Sequence, residues 1–268
     1  MRQLVHTLRA LPTMLRIGFA ETVAYRAEFL VWVLAYTMPI IMLALWSQVA
    51  REAPVGRFGE TEFTAYFLAT LVVRLVTGAW VVWEMNTDVR EGTLQKRLLR
   101  PVHPIVAYLS ENVAAIPMRV MVTLPIAGLS LCWLGLGVLS HDPVQWLVAP
   151  LSLVGAFLLT FLAMACIGTL SLYWESSLAV FDLWLGFYTV LSGYVMPLEL
   201  FPTSVRAAVG FLPFRQMLAF PVENVLGLMS RADSVRDLGL QWAWVAAFTL
   251  LLSSLWRAGM KRFGAYGG

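Results

Sequence analysis

Residues 29–50 run between Glu28 and Arg51 without one charged side chain. A helix crosses a bilayer core with about 20 such residues. The same signature recurs. Residues 63–83 are interrupted only by Arg74, and residues 112–140 hold Arg119 inside an apolar run. Residues 143–174 are charge-free and longer than one span needs, which places the crossing helix at 149–174. Residues 177–196 carry Asp182, and residues 239–257 form the last run. Strands of a membrane barrel alternate apolar and polar residues, whereas these runs are apolar on every side. The sequence predicts an all-α membrane protein with six transmembrane helices. Composition agrees: 13% of residues are charged, against roughly 25% in a soluble domain. So lean a polar surface excludes disorder as well. Cys132 and Cys166 lie inside apolar runs, read here as free buried thiols, which excludes a disulfide scaffold.

The stretch 197–238 is different. Pro202, Pro213 and Pro221 punctuate it, Arg206, Arg215 and Glu223 charge it, and its apolar pieces are too short to span. It reads as short helices lying at, or dipping into, one membrane face as re-entrant pieces.

Basic residues set the orientation. One side collects Arg2, Arg9, Arg16, Arg26, Arg90, Lys96, Arg97, Arg100, Arg257, Lys261 and Arg262. The other holds Arg51, Arg57, Arg206, Arg215, Arg231 and Arg236. Both termini are therefore expected in the cytoplasm.

Residues 1–28 read as an amphipathic interfacial helix. Leu4, Leu8, Leu11, Leu15 and Phe19 make one stripe and Arg2, Arg9 and Arg16 another, with Pro12 expected to kink or split it. A plain membrane anchor is an equally open reading. Residues 86–104 form the main cytoplasmic loop. Asp88 is placed to cap a short helix carrying Leu94, Leu98, Arg90, Lys96, Arg97 and Arg100, which Pro101 stops. A soluble partner has something to grip there; the alternative is that these charges only enforce topology.

Charges within spans are costly and face protein or water. Arg119 and Asp182 fall at similar depth and are expected to form an intramembrane ion pair. Arg74, near mid-span, either lines a substrate path or bonds to carbonyls or a partner subunit. No catalytic constellation is present. His6, His103 and His141 are scattered, and HExxH, GxSxG and a clustered Cys/His set are absent. Without GxxxxGK[ST] the chain does not hydrolyse ATP by the P-loop route. No metal, cofactor or nucleic acid is expected on it.

Five stretches in order carry a resemblance: YRAEFLVW (25–32), VREGTLQKRLLRPVHP (89–104), SGYVMPLELFP (192–202), LPFRQMLAFPVENVLG (212–227) and LWRAGMKRFGAYGG (255–268). Together they resemble the short six-span bacterial permeases of ABC-2 type transporters. The resemblance implies a coupling helix at Asp88–Arg100 that docks on a separate ATPase. Arg90, Glu91, Lys96 and Arg97 would pair with it, and Gly92 would serve a backbone need. It further implies two P-loop ATPase subunits carrying ATP and Mg, a second permease, identical or related, and residence in the bacterial inner membrane. The substrate class stays open: an amphiphile, drug, lipid-like molecule or natural product. Two other readings remain, a stand-alone secondary transporter or channel using Arg74, Arg119 and Asp182, and a membrane scaffold without substrate.

Overall fold

A computed structural model describes residues 2–25, 31, 34 and 36–266; side chains at residues 2–9 and 264–266 lie outside that description. The amphipathic reading of Arg2, Leu4, Leu8 and Arg9 therefore falls outside it, as do residues 29, 30, 32, 33 and 35 of the expected first span. The described elements are helical. In order they are α1 (Arg2–Ala24), α2 (Met38–Glu52), α3 (Glu60–Thr77), α4 (Val81–Arg90), α5 (Leu94–Leu98), α6 (Pro104–Ala114) and α7 (Ile116–Leu134). Then follow α8 (Pro143–Thr169), α9 (Leu178–Leu191), α10 (Thr203–Phe211), α11 (Pro213–Met217), α12 (Ala219–Val225) and α13 (Arg231–Tyr266). Among the described residues four helical stretches are long and apolar enough to cross a membrane: Glu60–Arg90, Pro104–Leu134, Pro143–Leu172 and Arg231–Phe263. Leu178–Leu191 is apolar but shorter.

Several boundaries differ from expectation, each for a local reason. α1 is one helix with Pro12 inside it, neither split nor ended there. α8 starts at Pro143 rather than Ala149. The Asp142 carboxylate accepts the Val144 N–H at 2.8 Å, and Pro143 supplies a first-turn residue with no N–H to satisfy. α13 starts at Arg231 rather than Gly239, so polar residues assigned to the loop are helical. Its first turns are held by ion pairs: Asp237, 1% exposed at its side chain, sits between Arg215 and Arg236. Cys166 is buried but Cys132 is exposed on α7; both are free thiols.

α8 is the axis of the bundle. It packs against α3, α4, α11, α12 and α13, and its residues from Phe157 to Thr169 are buried almost throughout. With lipid as apolar as the protein, close packing rather than water exclusion drives such contacts, and small residues permit it. Gly155 lies against the Gln241 amide of α13, and Gly168 lies against Met85 of α4. α11 and α12 pack into the bundle. Met217, Leu218, Phe220 and Val222 are fully buried beside α8. At the opposite end of the chain, α1 packs along α6.

Candidate functional site

The stretch Glu60–Arg90 is interrupted once, between α3 and α4, at Gly78–Trp80. A break inside a membrane strands backbone groups that must find partners in the protein. The buried Arg119 guanidinium donates from Nη1 to the Gly78 carbonyl. The Asn112 side-chain oxygen accepts the Trp80 N–H at 3.3 Å. Arg119 thus serves the break. Asp182 is exposed on α9 and the structure does not bring it to Arg119; no ion pair joins them among the described residues.

Arg74 is 5% exposed and lies between two tyrosine rings, with Cζ 4.8 Å from the Tyr36 centroid and 5.0 Å from that of Tyr188. Its Nε and Nη1 have no hydrogen-bond partner. Two desolvated cation–π contacts, about 2 kcal/mol or more each, hold it in place of an anion.

α4 continues through residue 90, so Asp88 lies inside it, near its end, rather than capping the next helix. Its carboxylate is instead the centre of the loop. Oδ1 accepts from the Thr93 hydroxyl at 2.6 Å, and Oδ2 accepts from Arg97 Nε and from the Tyr108 hydroxyl, each at 2.6 Å. Arg97 Nη1 also donates to Glu111 at 2.7 Å, and its Cζ stands 4.2 Å from the Tyr108 ring centroid. Burial opposes the charge on Arg97, yet Glu111 and Asp88 outweigh it and hold the pKa above its ordinary value. The chain turns between α4 and α5 at Gly92, whose φ of 73° is open to glycine at little cost.

This network sorts the loop residues into two sets. Asp88, Arg97 and Leu94, the last only 1% exposed, face inward. Arg90, Glu91, Gly92, Lys96 and Arg100 are exposed, and Leu98 is 36% exposed. Leu99, which the sequence groups with Leu94 and Leu98 in this short helix, is the most exposed of the three at 88%, and sequence reasoning missed the anchors Tyr108 and Glu111.

Compared with known protein families, residues 24–267 match a family model described as ABC-2 family transporter protein. No curated protein matches the chain.

Proposed function

Because the chain belongs to the ABC-2 family of transporter proteins, and is thus a multi-pass membrane component of an ABC transporter rather than itself an enzyme, we propose that separate P-loop ATPase subunits drive it through α5. The reading includes six spans, both termini in the cytoplasm, residues 197–238 as outer re-entrant helices, and a second permease, identical or related, completing an export path. ATP and Mg belong to the ATPases. The substrate is an amphiphile, a drug, a lipid-like molecule or a natural product.

One observation carries the proposal. α5 is clamped from within by Asp88, Arg97, Glu111 and Tyr108, yet shows Leu98, Leu99, Lys96 and Arg100 outward. An exposed leucine rimmed by cations next to a rigid support suits an apolar groove with an acidic edge. Two ATPase states that grip this surface differently would bias two arrangements of the spans.

The test is affinity purification of the detergent-solubilised chain, compared with a Leu98→Ser, Leu99→Ser double variant. A co-purifying P-loop ATPase, recovered at least tenfold less with the variant while the melting temperature holds, supports the reading. It is overturned if no ATPase appears and the chain alone moves solute across liposomes.

A further inference from the structure

A cleft of about 530 Å³ opens between α1, the α3–α4 break, α6 and α7. That volume lies in the range of small-molecule sites, roughly 300–1,000 Å³. Its walls combine two chemistries. Tyr25, Tyr36, Trp80 and Trp83 line it with aromatic surface. Glu21, Glu84, Asp88 and Glu111 line it with carboxylates, against only Arg97 and Arg119.

The two guanidiniums are already engaged. Arg97 is held by Asp88 and Glu111, and Arg119 donates to the Gly78 carbonyl. Glu21 and Glu84 have no ion-pair partner among the described residues. Glu84 is the telling one: its Oε2 is shut off from solvent and accepts no hydrogen bond. A carboxyl group withdrawn from water without a donor either holds its proton or draws a cation beside it. Indole and phenol faces attract cations too, most strongly where water is excluded.

We propose that this cleft binds an amphiphilic organic cation, with Glu84 as its counter-ion and the aromatic walls against its apolar body. The inference rests on the permease reading for its purpose, since it names the class of molecule the transporter would accept. The binding itself needs no ATPase. An acidic headgroup or other organic anion would meet four carboxyl groups against two guanidiniums already engaged, and is disfavoured by the same arrangement.

The experiment uses two probes of nearly equal shape and opposite charge, tetraphenylphosphonium and tetraphenylborate. Each is dialysed to equilibrium against the purified full-length chain in detergent, with empty micelles subtracted. Saturable phosphonium binding, with borate at least tenfold weaker, is expected. Glu84→Gln keeps the side-chain shape and should weaken phosphonium binding about tenfold. Glu21→Gln alters a residue exposed on α1 and should weaken it several-fold without touching the fold. Asp182→Asn, on another helix, should change nothing.

Equal binding of both probes overturns the proposal, as does full affinity in both glutamate variants. So does an Asp182→Asn loss as large as that of Glu84→Gln. Nucleotide and ATPase are absent from this assay. Failure here therefore leaves ATPase capture by α5 standing, and failed capture leaves phosphonium binding standing.

Discussion

Arg119 on α7 donates to the main-chain carbonyl of Gly78, 41 residues earlier, where α3 gives way to α4. A cation buried in a membrane-spanning segment is here a backbone cap, not half of an ion pair. Replacing Arg119 with Met strands that carbonyl in an apolar bundle, at about 1–3 kcal/mol. Thermal unfolding in detergent should shift down by several degrees. Asp182→Asn should leave the transition in place, and the double variant should equal the sum of the singles. A coupling energy between the two sites would instead signal direct contact.

Gly155 allows α8 and α13 to meet. A Cβ there would overlap the Gln241 amide, and that amide is not free to swing away, since its Nε2 donates to the Ser152 and Gln216 carbonyls at 3.0 and 2.8 Å. Gly155→Ala should therefore cost about 1–3 kcal/mol through overpacking. Adding Gln241→Ala to it should cost less than the two single effects combined, read by the same melting experiment.

His103 precedes α6 as its N-cap, its Nδ1 accepting the Ile105 N–H at 3.2 Å. Burial lowers its pKa below the ordinary 6.5. The unfolded chain thus binds the proton first as pH falls, so stability rises with pH across this window. The contribution is present above about pH 6.5 and lost as pH drops through the folded value, where a protonated ring no longer accepts from Ile105. Melting temperature measured from pH 8 to pH 5 should decline in the parent and flatten in His103→Asn, which keeps a capping oxygen without titrating.

Arg74 stands between Tyr36 and Tyr188 with two nitrogens unpartnered. Removing Arg74 gives up two ring contacts but also relieves the burial of a cation that no anion pairs, so the two effects offset. Arg74→Met should keep or raise the melting temperature and retain the ATPase. Transport into inverted vesicles should nonetheless fall at least tenfold if the guanidinium lines the path; undiminished transport would remove Arg74 from it.

The apolar runs disclosed the long helices because a bilayer demands length and composition, and both are written in sequence. Helix ends were less legible. The start of α13 at Arg231 depends on Asp237 meeting Arg215, a residue the local pattern does not connect to it. Position along an apolar run was readable for Arg119 and Asp182, but which way each helix turns its charged residue was not, so a shared position was mistaken for contact. Only a lone glycine at position 78 marked the break that Arg119 serves. In the loop 86–104 the residue types were visible. Which of them faced inward was decided by Tyr108 and Glu111, which lie beyond the loop itself.

Asp88 and Arg97 between them fasten α4, α5 and α6 at one end of a column whose helical ladder lapses at Gly78–Trp80. Stiffness along that column is uneven. A force applied to α5 would find little slack among clamped side chains, and the column would move as one lever. Its pivot would be the interrupted turn, where a small change in backbone torsion swings the distant end, with Arg119 as the stay that limits it.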